Sequence, residues 1–188
     1  MWTKETSKLF LLGCLYGFEK DNEVQPLEFN CPKINYMLDM TVLLRSVGIP
    51  FHLEKKGVRL LIVSDSIKTY DSFLRKEFNL DYTYPLKIKW PDFLETGIED
   101  PSPFIDGIFE TAGIFTSMQD RFPFVLHIQN EKTTQKISEI LDKNNIENIW
   151  VKNPTIKSLC TLQVVDGEGL IKKFLKTNPS SKYSGLRN

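Results

Sequence analysis

The 188-residue chain has no charge excess of either sign: 24 Lys and Arg balance 24 Asp and Glu. The balance holds within each half, with 13 basic and 12 acidic groups in residues 1–94 and 11 and 12 in residues 95–188. Neither half is therefore a basic arm that grips phosphate backbones regardless of sequence, and any nucleic-acid contact has to come from a local face. Cysteine is scarce as well. Cys14, Cys31 and Cys160 are odd in number and far apart, which fits neither a disulfide framework nor a zinc site and points to a reducing, cytoplasmic setting. The one long apolar run, near the amino terminus, is too short to cross a bilayer and precedes no small-residue cleavage site, so it reads as a buried helix with no membrane partner. GxGxxG, Walker, HExxH and GxSxG signatures are missing, and with them the usual signals of nucleotide-dependent and common hydrolytic chemistry. His52 and His127 have no ligand-spaced neighbours and read as structural, while Trp2, Trp90 and Trp150 are too scattered to form a stacking platform.

What is present is a repeat. The stretch from Leu27 to Leu74 and that from Leu126 to Leu175 give the same order, strand, helix, strand, strand, helix, at nearly the same lengths. A helix is expected over residues 34–47, with Ile34, Met37, Leu38, Thr41, Leu44 and Val47 on its core face and Gly48 as its stop. Its counterpart runs from about Glu131 to Asn144, with Ile137, Ile140 and Leu141 inward and Asn144-Asn145 as the stop. Strands are expected at 51–54 and 58–64, joined by a Lys55-Lys56-Gly57 turn, and at 148–152 and 158–165, joined across Asn153-Pro154. Asp65-Ser66 and Asp166-Gly167 then open closing helices at 66–78 and 167–177, whose Phe73-Leu74 and Phe174-Leu175 face the core.

Each copy is headed by a further helix, at 6–18 and at 102–115, followed by a strand at 24–30 in the first copy and by strands at 114–118 and 122–129 in the second. Gly13 and Gly17 stand four apart on the first of these helices, and Gly107 and Thr111 stand four apart on the second. Small residues at that spacing make a stripe along which two helix backbones approach closely, and two glycines inside one helix, each costing about 1 kcal/mol, call for such a reason. The expected unit is αββαββα, present twice: residues 1–79, a linker at 80–100, residues 101–177, and a flexible tail at 178–188.

The nonapeptides LLGCLYGFE at 11–19 and IDGIFETAG at 105–113 resemble the LAGLIDADG motif of homing endonucleases, with Gly13 and Gly107 at its third position and Gly17 and Thr111 at its seventh. With the doubled element pattern, the resemblance covers nearly the whole chain. It implies a single-chain α/β (α+β) fold with pseudo-twofold symmetry, motif helices at the interface of the two repeats, and two antiparallel saddle-shaped sheets that lie along DNA. It also implies an acid at motif position eight of each helix as a divalent-metal ligand. Those positions are Phe18 and Ala112, which offer a cation such as Mg²⁺ no hard oxygen. The expectation is a catalytically degenerate scaffold with no cofactor, the enzyme question being left open and tilted toward no activity. Glu19 and Glu110, one residue beyond and two before, would serve with Mg²⁺ only as displaced ligands, and a step of about 100° per residue turns them to other helix faces. Asp106 and Glu110, four apart, read as a solvated face.

Candidate nucleic-acid contacts are Lys55, Lys56 and Arg59 at the first hairpin and Lys152 and Lys157 at the second. Double-stranded DNA is the partner the resemblance implies, for a monomeric protein similar in kind to the amino-terminal part of the WhiA regulators, although no helix-turn-helix extension is present. Structured RNA, as for the maturases of the same family, remains an alternative. So does a protein partner, which the even charge favours, and, last, an active endonuclease with shifted acids.

Overall fold

The computed structural model describes residues 3–18, 26–31, 33–83, 87–96, 100–156, 159–175 and 183. Helix α1 (Lys4–Gly17) starts where Thr3 caps it, its hydroxyl accepting from the Thr6 N–H at 3.1 Å. Strand β1 (Leu27–Cys31), α2 (Ile34–Ser46), β2 (His52–Lys56) and β3 (Arg59–Ser64) follow. A 3-10 turn at Ile67–Tyr70 leads into α3 (Asp71–Phe78), so the single helix expected at 66–78 is two pieces. Short strands β4 (Tyr82–Thr83) and β5 (Lys87–Ile88) and the single turn α4 (Phe93–Thr96) occupy the segment read as a linker, and Leu80, Ile88 and Trp90 are buried there. The second copy runs α5 (Ser102–Ala112), β6 (Gly113–Phe115), β7 (Phe124–Ile128), α6 (Glu131–Lys143), β8 (Asn148–Lys152), β9 (Cys160–Val164) and α7 (Gly167–Lys173). It shows αββαββα in full. In the first copy residues 19–25, between α1 and β1, lie outside the described residues.

Several boundaries differ from expectation for local reasons. The helix expected over 102–115 ends at Ala112 because Gly113 is extended (φ −74°, ψ 137°) and begins β6. Lys55 and Lys56 continue β2, and the hairpin turn is Gly57-Val58, with Gly57 at φ +62°, a left-handed conformation that a residue without Cβ adopts freely. Gly48 (φ +73°) and Asn145 (φ +58°) end the two central helices as expected. Asp166 caps α7, its carboxylate accepting from the Gly169 N–H at 2.8 Å.

Compactness divides the chain differently from the repeat. One unit holds α1 together with α4 to α7, β6 to β9 and Tyr183; the other holds β1 to β5, α2 and α3. In the latter, the sheet order is β1-β3-β2, antiparallel throughout, and α2 packs on β1 and β3. The buried residues of α2 are Tyr36, Met40, Leu43 and Leu44, whereas Ile34 and Leu38, expected in the core, are 57% and 53% exposed. The helix carries apolar residues on two opposite sides, so periodicity alone cannot choose the inward one. In the larger unit the sheet order is β6-β7-β9-β8, again antiparallel, and α6 covers one face. Here the polarity is unambiguous and Ile137 and Leu141 are buried as expected.

Phe73, Leu74, Phe174 and Leu175 are all buried. Tyr183 belongs to the stretch read as a flexible tail, yet it is 2% exposed, donates to the Phe109 carbonyl at 2.7 Å and stacks edge-on against Phe124. Among the described residues, no helix is long and apolar enough to cross a membrane.

Candidate nucleic-acid interface and the helix pair

Helices α1 and α5 pack against each other along the stripe the sequence marks. A Cβ built on Gly13 would sit inside the Phe104 carbonyl group and 3.1 Å from the Ile108 nitrogen. One built on Gly107 would sit inside the Phe10 carbonyl and 2.8 Å from the Cys14 nitrogen. Backbone thus lies on backbone, the approach that only residues without a side chain permit. Gly17 lies against Thr111, whose hydroxyl donates to the Cys14 carbonyl at 3.0 Å and so ties the two helices by a hydrogen bond as well as by contact. The flanking apolar residues, Phe10, Leu11, Cys14, Leu15, Phe104, Ile105, Ile108 and Phe109, are fully buried.

Motif position eight falls where each helix stops. Phe18 is the carboxy-terminal cap of α1, and Ala112 is the last residue of α5. Neither side chain has an oxygen to offer a metal. Glu19 lies outside the described residues. Asp106 and Glu110 are not a solvated face: they are 0% and 6% exposed. Burial first, then the nearby charges of Glu110 and Asp106, push the Tyr183 phenol well above its ordinary range. The sequence did hold a signal for this, since α5 is apolar around nearly its whole circumference and an acid on such a helix has no wet side. Among the described residues, no group of three or more His, Cys, Asp and Glu is placed to hold a metal ion.

The sheet faces sort the candidate basic residues. Directly paired residues of an antiparallel sheet point to the same side, and successive residues alternate. In the first sheet Phe29 pairs with Ile62 and Leu27 with Ser64 on the helix-covered side, which is also the side of Lys55, paired with Leu60. The open side carries Glu28, Asn30, His52, Glu54, Lys56 and Arg59, together with Leu61 and Val63, which are buried. Lys56 bonds Glu28 at 2.6 Å, which raises its pKa, and lies 3.8 Å from Glu54. Arg59 makes no ion pair among the described residues. In the second sheet Lys152 pairs with Cys160 on the helix-covered side and bonds Glu131 of α6 at 2.7 Å. Lys157 lies outside the described residues.

The open side of the second sheet is different in kind. One cross-strand row reads Ile114, Val125, Gln163, Ile149, and the next reads His127, Thr161, Val151. His127 bonds Thr161 at 3.1 Å, and none of the seven is an Asp, Glu, Lys or Arg. His52, by contrast, is exposed and lies 3.9 Å from Asp65. The three cysteines are buried and form no disulfide, and burial pushes the Cys160 thiol up, away from the reactive thiolate.

No protein-family model matches the chain, and no curated protein matches it in sequence. Solved structures do. The chain is similar to the homing endonuclease I-DmoI, solved in complex with DNA and Mn, with a TM-score of 0.62 at 12% identity over 94% of this chain and 99% of that one. It is also similar to the N-terminal LAGLIDADG domain of DUF199/WhiA, with a TM-score of 0.54 at 14% identity over 94% of this chain and 82% of that one. Against full-length DUF199/WhiA from Thermatoga maritima the TM-score is 0.54 at 15% identity, and the match covers 94% of this chain and 56% of that protein. At these identities it is the backbone arrangement that is shared, and with the doubled motif helices packed glycine to carbonyl, the chain has the LAGLIDADG homing-endonuclease fold.

Proposed function

We propose that the chain is a DNA-associated protein on a LAGLIDADG scaffold that no longer cuts its target. The observation that carries this reading is the pair Phe18 and Ala112, two apolar residues at the helix ends where cleavage would need carboxylates converging on the scissile phosphates. The helix pair itself keeps its close packing, so the scaffold is retained while the chemistry is lost. Contact with DNA is assigned to the open side of the first sheet. There Arg59 presents a guanidinium to phosphate or to a guanine edge, and Asn30 and His52 add further hydrogen-bonding groups on the same side. Lys55, on the other side of the same strand pair, and Lys152, held by Glu131, are not part of that contact.

The test is a mobility-shift series with mixed duplex DNA and with structured RNA across rising salt, alongside an Mg²⁺ cleavage assay on supercoiled DNA. A salt-sensitive shift on duplex without nicking supports the reading. Nicking that Glu19→Gln or Glu110→Gln abolishes, or preferential binding of RNA, would overturn it. A second reading, a protein-interaction module without nucleic acid, is favoured by the uncharged open side of the second sheet, and absence of any shift would leave that one standing.

A further inference from the structure

On the open side of the first sheet, Lys56 reaches away from its cross-strand partner. Lys56 pairs with Arg59 at one end of β3, whereas Glu28, on the opposite edge strand, pairs with Val63 four residues further along. The 2.6 Å bond from the Lys56 ammonium to the Glu28 carboxylate, with Glu54 3.8 Å away, therefore closes over β3. Leu61, midway between Arg59 and Val63, lies beneath that path and is 5% exposed, and the apolar stem of a lysine is suited to cover such a side chain while its head stays in water. The reach also draws the ammonium away from Arg59, with which it would otherwise stand as a directly opposed like charge. Of the two cations and two carboxylates on this side, both carboxylates are engaged with the same cation.

We propose that Glu28 and Glu54 are specificity determinants of the DNA-contacting side: they hold Lys56 across the sheet and withhold it from phosphate. A duplex approaching there meets Arg59 as the available cation, and beside it a lysine already matched by two acids that repel the backbone. Phosphate attraction is the part of binding that is blind to sequence. It is this part that the two acids reduce, so that affinity depends on contacts with base edges. Exposed ion pairs add little to stability, and the effect of this one is on what the sheet attracts. The hydrogen bond to Glu28 first, and then the charges of Glu28 and Glu54, raise the Lys56 pKa, which keeps the lysine charged and held. The inference rests on the DNA reading of this sheet side.

The test is a double variant of the full chain, Glu28→Gln with Glu54→Gln, which releases Lys56 at nearly constant side-chain size. Lys56, Glu28 and Glu54 are 51%, 35% and 39% exposed, so the fold is expected to survive, and urea unfolding checks that it does. Fluorescence anisotropy with a mixed-sequence duplex is followed from about 50 to about 200 mM salt. The double variant is expected to bind more tightly than wild type with a salt slope steeper by about 1, so that its advantage is about 3.5-fold larger at the lower salt than at the higher. In a Lys56→Met background the same two substitutions should leave the slope unaltered, because lifting repulsion adds no phosphate contact, and Lys56→Met alone should leave the wild-type slope unaltered too. A slope that does not steepen, or that steepens equally without Lys56, overturns the proposal. So does a shallower slope in Lys56→Met alone, which would place the lysine on phosphate already. In each of those cases the duplex binding of the wild type leaves the DNA reading standing, whereas absence of binding in wild type and variant alike overturns both.

Discussion

Gly13 and Gly107 each present a bare Cα to a main-chain carbonyl of the other's helix, Gly13 to that of Phe104 and Gly107 to that of Phe10. The reciprocity fixes the register of α1 on α5, because sliding either helix by one residue would drive a side chain into a carbonyl that cannot rotate away. Gly13→Ala and Gly107→Ala are therefore expected to destabilise the fold by about 2 kcal/mol each. Overpacking costs about 1–3 kcal/mol or more, and the gain of about 1 kcal/mol in helix propensity offsets only part of it. Urea unfolding should show a lower midpoint at unchanged slope; a stabilised variant would mean that the helices do not meet there.

Thr111→Val keeps the shape of the side chain and removes its hydrogen bond to the Cys14 carbonyl. The expected loss is about 1 kcal/mol. An unchanged unfolding midpoint would show that close contact alone holds the helices together.

Tyr183 titrates above its ordinary range because it is buried beside Glu110 and Asp106. In the unfolded chain the phenol ionises near pH 10, while in the folded chain it holds its proton to a higher pH. Its contribution is thus fully present below pH 10 and falls away as pH rises toward the folded value, by up to about 1.4 kcal/mol per pH unit. Tyr183→Phe should flatten the loss of stability seen above pH 10 in a series of unfolding curves. Tyr16, raised by burial, leaves a residual slope in the variant. Equal slopes in wild type and variant would contradict the buried placement of Tyr183.

Arg59 and Lys152 were equivalent candidates by sequence and are not equivalent by face. Arg59→Ala is expected to weaken DNA binding and reduce the magnitude of its salt slope by about 1. Lys152→Ala should leave binding unchanged and alter stability little, as exposed ion pairs do. Fluorescence anisotropy over a salt series separates the two, and the reverse ranking would reassign the binding face.

Much of the fold is legible in the sequence because several signals agree at the same places. The Gly13 and Gly107 stripes, the Asp166 cap and the Gly48 stop each have one physical reading, and each is found in position. Legibility fails where two readings share one pattern. The outward side of α2 mimics a core face, and an i,i+4 pair such as Asp106 and Glu110 looks the same wet or buried until the rest of α5 is weighed. A shift of the first turn to Gly57-Val58 moves Lys55 and Lys56 into a strand, where alternation sends them to opposite sides. Tyr183 carried no periodic signal at all, since its burial depends on contacts with residues such as Phe109 and Phe124, far away in the sequence.

The partner that buries the Gly13 face of α1 is synthesised 94 residues later, at Gly107. Until α5 emerges, the run from Phe10 to Tyr16 has no mate on that side, and the loop that must close to bring the helices together is nearly half the chain. Folding therefore includes a non-local step, of the kind that slows folding and prolongs the exposure of apolar surface. A ribosome-bound chain halted before Ser102 should therefore resist completion of its core, however well its central strands and helices have formed.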